Sequence, residues 1–275
     1  MHRRSLTSML LLCGCLLFSS IVLADKHDRQ LDEIFTLSGI DETLQQIPLL
    51  INATFDNLAN QEGNDPKVLA EMKTIMATVM SPEKLRGNTM EHLQASLSRK
   101  EIRHIHEQLK SPFAQRMSAL EKEASQPDSA ANIMAFAQTL EKAPPTNQRI
   151  NLITELVRAS NAVDSSLTLR TEFFRGFMEA TAQLAPPDKR IASDEIDQKI
   201  SSMRQQLLEP VAQEIILTYF YLYRSLSDKE IENYIAMYQQ PEMAHFNKEM
   251  NIAMATAFRH AGNDLMQALT TAYGG

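Results

Sequence analysis

Two glutamate and histidine pairs form the most chemically suggestive pattern in the chain. Glu101 precedes His104 and Glu242 precedes His245, both at a spacing of three residues. Residues three apart share one face of a helix, and Glu-x-x-His pairs on two helices bind the two metal ions of ferritin-like bundles. The pattern therefore makes a dimetal carboxylate and histidine enzyme one hypothesis for this protein.

A site of that kind needs more than the two pairs. Ferritin-like bundles add inward-facing carboxylates from two further helices, and Glu101 also occupies the position of a helix-capping residue. His104 and His106 fall on different faces of a helix, which favours solvent exposure over joint metal binding. We therefore assign no catalytic, cofactor-binding or metal residue and no cofactor, and the sequence favours a protein that is not an enzyme.

Other catalytic motifs receive no support. Ser81 and Lys84 have the Ser-x-x-Lys spacing of penicillin-recognising enzymes, but the partner motifs are missing, and Ser81-Pro82-Glu83 is typical of a helix start. The sequence contains no His-Glu-x-x-His, Gly-x-Ser-x-Gly or Walker motif.

Charge and composition narrow the function classes further. The 275 residues include 27 Lys and Arg against 34 Asp and Glu, which gives a formal charge of −7. A broad nucleic-acid surface needs clustered cations, so nucleic acid is not an expected partner. With only 8 glycines and no tryptophan, the composition favours helices over glycine-rich phosphate loops.

The first 24 residues have the pattern of a secretory signal peptide. Arg3 and Arg4 precede an uncharged apolar run from Leu6 to Leu23, and Ala24 offers a small residue before the expected cut. An uncleaved membrane anchor is the alternative, because the run approaches the length of a spanning helix. Cleavage would remove both cysteines, Cys13 and Cys15, and leave no further membrane span. We expect a periplasmic protein that lacks thiols.

Helix signals dominate the remaining sequence. Asp65 and Pro66 form a start signal before a 4, 3, 4 ladder of apolar residues. A second ladder follows Pro48, in a segment that Asp41 is expected to open. A longer apolar stripe, from Ile196 to Ile215, contains Pro210, which is expected to kink or split that helix.

A repeated motif divides the chain into two similar parts. The residues Leu97 to Ile102 read LSRKEI and those from Leu226 to Ile231 read LSDKEI, and Pro112 and Pro241 follow at the same distance. The two copies lie 129 positions apart. Each copy places Ser at an N-cap and Glu three residues later, which predicts two capping boxes.

A weaker similarity extends the repeat upstream. Ile40, Asp41 and Leu44 match Val163, Asp164 and Leu167 at an offset of 123. We therefore predict an all-α fold of two tandem multi-helix repeats, packed as a helical bundle or a short α-array. The expected parts are the signal peptide 1–24, a first repeat 26–125, a short helix and proline-containing linker 126–146, and a second repeat 147–275.

The second motif resembles the signature of an exported bacterial family called domain of unknown function 2059. Its members begin a helix with Leu-Ser-x-x-Glu and turn at Tyr-x-x-Pro, which Leu226, Ser227, Glu230, Tyr238 and Pro241 match. The first motif matches as well, through Ser111, Pro112 and Gln115, and the run 34–48 is similar to the opening helices of the family. This resemblance implies a tandem, all-helical Gram-negative periplasmic protein, and it transfers no catalytic residue because the family has no established activity.

Methionines and tyrosines are the remaining residues of functional interest. Met72, Met76 and Met80 lie on one helix, four further methionines lie between Met237 and Met254, and tyrosines cluster between Tyr219 and Tyr223. Methionine stripes fill cores or line adaptable binding sites, and we expect the tyrosines to contact the other repeat. The leading interpretation is a non-enzymatic binding module with an envelope partner in a groove between the repeats. The alternative is a carrier of a hydrophobic small molecule between helices, and the dimetal enzyme is a third hypothesis.

Overall fold

The protein is all α-helical. A computed structural model describes residues 28–60, 65–123, 128–184 and 190–273, and these residues contain no β-strand. The signal peptide predicted at 1–24, with both cysteines, lies outside the described residues. The all-α prediction is confirmed.

The helices follow one another through short turns. Helix α1 covers 28–37 of the described chain. The later helices are α2 (Ile40–Leu44), α3 (Ile47–Ala59), α4 (Pro66–Val79), α5 (Pro82–Ser96), α6 (Arg99–Leu109), α7 (Pro112–Glu123), α8 (Ser129–Lys142), α9 (Asn147–Ala159), α10 (Ala162–Leu184), α11 (Ser193–Leu222), α12 (Asp228–Tyr238) and α13 (Pro241–Tyr273).

Four of the helix caps expected from the sequence are present in the structure. Asp65 caps α4 by accepting from the Lys67 amide, and Ser81 caps α5. Both predicted capping boxes are present, at Ser98 for α6 and at Ser227 for α12. The prolines that follow them, Pro112 and Pro241, are the first residues of α7 and α13.

Asp41 does not open the helix that contains Pro48. It lies inside the short helix α2, where its carboxylate accepts hydrogen bonds from Thr36 and Arg86. The helix with Pro48 begins at Ile47 behind Gln46, and it has no side-chain cap. Proline is well tolerated in the first turn of α3, because the backbone amide that proline lacks would have no helical hydrogen-bond partner at that position.

Pro210 does not split its helix. Helix α11 continues from Ser193 to Leu222 with Pro210 inside it. A proline leaves the carbonyl four residues earlier without its helical donor. Both Gln206 and Pro210 are exposed, so water can satisfy that carbonyl. On both sides of the exposed segment, residues of the predicted apolar stripe pack α11 against the rest of the protein, since Ile200 and Val211 are buried.

The two larger hydrophobic cores combine residues from both predicted repeats, whereas a third, small cluster around Ile196 and Ile200 lies within the second. One core joins Phe35 and Ile102 to Tyr223 and Phe246. The other joins Ile51 and Met76 to Phe173 and Leu265, and it contains both methionines of α4 together with Met80, the residue that follows the helix. Neither part of the chain therefore forms either of the larger cores alone.

The long helices α10 and α13, both in the predicted second repeat, pack closely against each other. Gly176 of α10 faces Gly262 of α13, and a Cβ atom built on Gly262 would lie 3.8 Å from the Gly176 Cα. The absence of side chains at these positions allows the two backbones to approach closely. None of the described helices combines the length and the apolarity that crossing a bilayer requires.

Candidate functional site

The two Glu-x-x-His pairs meet across the boundary between α6 and α13. His245 Nδ1 lies 2.8 Å from Glu101 Oε1 and donates to it. The histidine of the first pair likewise faces the glutamate of the second, since His104 Nε2 lies 4.0 Å from Glu242 Oε2. The same nitrogen lies 2.9 Å from Gln240 Oε1. The fold thus brings together the four residues that the sequence singled out, although they are 138 or more positions apart between the pairs.

The contact continues along α13 to α5. His245 Nε2 is 3.6 Å from Glu249 Oε1, and His92 Nε2 donates to Glu249 Oε2 at 3.0 Å. Hydrogen bonds from Ser98 and His245 lower the pKa of Glu101 to about 2, because they stabilise the ionised carboxylate. The bond from His92 lowers the pKa of Glu249.

This arrangement gives the dimetal hypothesis no support. Among the described residues, no group of three or more His, Asp and Glu side chains is placed to hold a metal ion. The carboxylates of Glu101 and Glu249 instead accept hydrogen bonds from histidines on neighbouring helices. The expected exposure of His106 is wrong, because its side chain is buried and donates to Glu33 Oε2 at 2.7 Å.

A cavity of about 440 Å³ lies beside this contact, between the two predicted repeats. Its volume falls within the range of small-molecule binding sites, about 300–1,000 Å³. It is lined by polar and apolar side chains from α6, α7, α10, α11, α12 and α13 and from the α1–α2 and α9–α10 corners. The lining residues are Leu37, Ser38, Ile40, Thr43, Leu109, Ala114, Ser118, Glu121, Ser160, Ala162, Ser165, Ser166, Leu169, Tyr219, Tyr234, Met237, Tyr238, Met243, Phe246, Asn247, Met250, Asn251 and Met254.

Matching positions of the two motifs face this cavity. Between Leu109 and Glu121, four lining residues each have a lining counterpart 129 positions later, the distance that separates the motifs. The pairs are Leu109 with Tyr238, Ala114 with Met243, Ser118 with Asn247, and Glu121 with Met250. Because the paired residues differ in chemistry, the cavity has a polar side near α7 and a more apolar side on α13.

Glu121 is the centre of the polar side. Its Oε1 accepts hydrogen bonds from the hydroxyls of Tyr223 and Tyr234, each at 2.6 Å. The Tyr238 hydroxyl lies 3.1 Å from that of Tyr234 and donates to it, since the Tyr234 proton is directed at Glu121. Tyr219 completes the cluster, with its hydroxyl 3.1 Å from Ser160 Oγ.

Burial shifts the pKa values of the ionisable groups in this cluster. Burial raises the pKa of Glu121, and the hydrogen bonds from Tyr223 and Tyr234 oppose that rise. Burial also raises the pKa of Tyr223, Tyr234 and Tyr238, and the negative charge of Glu121 adds to the effect. Removal from water disfavours the charged form of each group.

One lining amide lacks a partner. Asn247 Nδ2 is buried from solvent and makes no hydrogen bond, whereas the neighbouring Asn251 accepts from Ser165 at 2.7 Å and donates to Asp164 at 3.2 Å. An unpaired buried donor costs about 1–3 kcal/mol, which an acceptor placed in the cavity would offset.

The methionines divide between two roles. Met72, Met76 and Met80 are buried in the second core, whereas Met237, Met243, Met250 and Met254 all line the cavity. Thioether side chains are flexible and polarisable, which suits a surface that adapts to a hydrophobic ligand.

Sequence reasoning did not identify Glu121 or Asn247. Glu121 belongs to none of the catalytic or metal-binding patterns considered in the sequence, and the tyrosines that bind it lie more than 100 positions away. The signal available in the sequence was the tyrosine run, which does contact the part of the chain predicted as the first repeat, through the bond from Tyr223 to Glu121.

Comparisons with protein-family models, with curated proteins and with solved structures found no significant match. The resemblance to domain of unknown function 2059 and the tandem duplication therefore stay predictions.

Proposed function

We propose that this is an exported, non-enzymatic helical protein that binds a small molecule with a hydrophobic body in its central cavity. The observation that carries the proposal is the cavity of about 440 Å³ between the predicted repeats. It combines an apolar methionine-rich wall with a few polar groups, the usual composition of a small-molecule site.

The polar groups of the cavity favour a ligand over a purely structural void. Glu121 is held by two tyrosine hydroxyls, and Asn247 keeps an unpaired donor. Native interiors pair nearly all buried polar groups with protein atoms or ordered water, so the unpaired donor marks a position where a ligand acceptor or a water would bind. An apolar packing defect would need neither residue.

Tandem duplication provides an origin for the cavity. The motif glutamates each bind a basic residue four positions after the proline of the other motif, Glu101 with His245 and Glu230 with Arg116. Upstream, Asp41 pairs with Arg86 and Asp164 pairs with Arg204. Two related units that pack face to face would enclose the space that now separates Glu121 from Met250.

A partner protein in a surface groove is the second candidate function. An open groove of about 570 Å³ lies along α9, α10 and α11, where the side chain of Leu208 is 51% exposed. This groove lies wholly within the predicted second repeat, whereas the sequence-based expectation placed the groove between repeats. The cavity is the site that meets that positional expectation.

Tryptophan fluorescence tests the proposal directly. The chain has no tryptophan, so Phe246→Trp introduces a single reporter into the cavity wall and Leu208→Trp introduces one into the open groove. Titration with 11-bromo-1-undecanol, whose bromine quenches indole at contact, should quench the cavity reporter in a saturable manner. Leu169→Trp provides a second cavity reporter if circular dichroism shows that Phe246→Trp does not fold.

The matched groove reporter separates the two candidate functions. Saturable quenching in Leu208→Trp without quenching in either cavity variant would place the hydrophobic ligand in the groove and contradict the proposal. Absence of quenching in all three folded variants would also contradict it. Mass spectrometry of the protein purified without detergent should, in addition, release a bound amphiphile under denaturing conditions.

A further inference from the structure

We propose that the ligand carries an organic ammonium group, which binds beside Glu121 within the cluster of tyrosines. This inference rests on the proposed function, since it names the ligand class of the same cavity. The charge of the lining, the aromatic rings around the carboxylate and the unpaired donor of Asn247 support it.

The charge of the lining favours a cation. Glu121 is the only carboxylate among the described residues that line the cavity, and that lining contains no Lys, Arg or His side chain. An anionic head group would meet a carboxylate with no lining cation to offset it. A positively charged group would supply the counter-charge that Glu121 lacks inside the cavity.

The hydrogen bonds of Glu121 do not replace that counter-charge. Tyr223 and Tyr234 donate to one carboxylate oxygen, and a phenol hydroxyl stabilises the negative charge without neutralising it. Burial keeps the pKa of Glu121 raised despite these two bonds. A neighbouring cation would favour the ionised form and so bring the pKa down.

The aromatic rings of the cavity also attract a positively charged group. Tyr219, Tyr234, Tyr238 and Phe246 line the cavity that contains Glu121. The ring centroids of Tyr234 and Tyr238 lie 4.9 Å apart, and those of Tyr223 and Tyr234 lie 5.9 Å apart, so the rings form one cluster. Ammonium groups are attracted to aromatic faces, and several rings with a carboxylate are a recurrent site for quaternary ammonium ligands.

The remaining groups assign the rest of the ligand. Asn247 Nδ2 offers an unpaired donor, which suits an oxygen acceptor on the ligand. Met237, Met243, Met250 and Met254 supply the wall for an alkyl or similar apolar body. The expected ligand is therefore an amphiphile with an ammonium group, an oxygen acceptor and an apolar chain.

Three probes that differ only in the head group test this inference. The Phe246→Trp protein is titrated at pH 8 with 11-bromoundecyltrimethylammonium, 11-bromo-1-undecanol and 11-bromoundecanoate, each below its critical micelle concentration. We expect the ammonium compound to bind about tenfold or more tightly than the alcohol, and the carboxylate to bind most weakly. Glu121→Gln in the same background should reduce the preference for ammonium to about threefold or less, because the carboxylate charge is gone.

A matched variant controls for the overall charge of the protein. Glu107 lies on α6 and is exposed, so Glu107→Gln removes the same charge without altering the cavity and should keep the full preference. If Glu121→Gln does not fold, the ammonium preference of the Phe246→Trp protein is measured again at pH 4, where the raised pKa of Glu121 favours its neutral form, and the preference should fall. A preference for ammonium that is the same at pH 4 and pH 8 would then overturn the inference.

The outcomes distinguish this inference from the proposed function. Equal binding of alcohol and ammonium, or tighter binding of the carboxylate, would overturn the ammonium assignment and leave the cavity as the binding site. An ammonium preference that survives Glu121→Gln would overturn the role of Glu121. Failure of all three probes to quench either cavity reporter would overturn the proposed function itself.

Discussion

Glu101 caps one helix and binds another. Its Oε2 accepts from the backbone amide of Ser98 at 2.8 Å and closes the capping box of α6, while its Oε1 accepts from His245 of α13 at 2.8 Å. Glu230 has the same double role at α12, where it caps behind Ser227 and binds Arg116 of α7. Local helix initiation and the packing of the two parts of the chain therefore depend on the same two carboxylates.

Acid should weaken the contribution of Glu101 to stability. Its pKa is lowered from 4.5 to about 2, so the stabilisation is complete above the unfolded-state pKa and disappears as the pH falls towards 2. We expect Glu101→Gln to reduce the free energy of unfolding at pH 7 and to differ little from the unmodified protein near pH 2. Urea titrations at several pH values measure this, with Glu107→Gln as the control. A Glu101→Gln deficit that stays constant down to pH 2 would contradict the assignment.

Each of the two capping serines should contribute measurably to the free energy of unfolding. Ser98→Ala and Ser227→Ala remove the side-chain acceptors of the Glu101 and Glu230 amides, and each should lower the free energy of unfolding by about 1 kcal/mol. Ser201→Ala is the control, because Ser201 is exposed in the interior of α11, where alanine is at least as favourable. Unchanged melting of Ser98→Ala and Ser227→Ala would show that the boxes do not form in solution.

Alkaline pH should reveal the cost of ionising Glu121. Because burial raises its pKa above 4.5 in the folded state, the ionised form is less stable there than in the unfolded chain, and this penalty grows as the pH rises above the unfolded-state value. Glu121→Gln keeps a carbonyl acceptor for Tyr223 and Tyr234 and removes the ionisation. We expect the variant to melt at a higher temperature than the unmodified protein at pH 8, with the difference vanishing near pH 4. A lower melting temperature at pH 8 would contradict a desolvated Glu121.

The contact between Gly176 and Gly262 should tolerate no large side chain. A Cβ on Gly176 would lie 2.7 Å from the Cε atom of Met80, which is fully buried. Gly176→Leu should therefore destabilise the fold by about 1–3 kcal/mol through overpacking. Gly87 of α5 is the matched control, because nothing lies within 4 Å of its Cβ position, and Gly87→Ala should stabilise the protein by about 0.5–1 kcal/mol. Chemical denaturation of both variants checks the contrast, and equal effects would refute the close helix packing.

Replacement of Pro210 should strengthen α11. Pro210→Ala restores the amide that the carbonyl of Gln206 lacks, and both positions are exposed, so no buried contact is lost. Proline is about 3 kcal/mol less favourable than alanine in a helix interior, and solvation of the exposed carbonyl reduces that penalty here. We expect an increase in the free energy of unfolding of about 1–3 kcal/mol. A decrease would indicate that the packing of α11 requires proline at position 210.

The sequence by itself determined the elements and their starts. Asp65, Ser81, Ser98 and Ser227 cap helices at the predicted positions, because capping depends on residues within one turn of each other. The spacing of apolar residues likewise predicted an all-α protein. Asp41 does not open the predicted helix and Pro210 does not split its helix, since contacts with Arg86 and exposure to solvent, both properties of the folded chain, decided those positions.

Only the tertiary structure decided which residues share a site. Glu121 is 102 positions from Tyr223 and 113 from Tyr234, and no local rule links residues at such distances. The pairing of Glu101 with His245 and the position of Asn247 depend in the same way on how α7, α12 and α13 pack. Periodicity specifies the face that a helix buries, whereas the partner of that face is selected by the complementary packing of the whole chain.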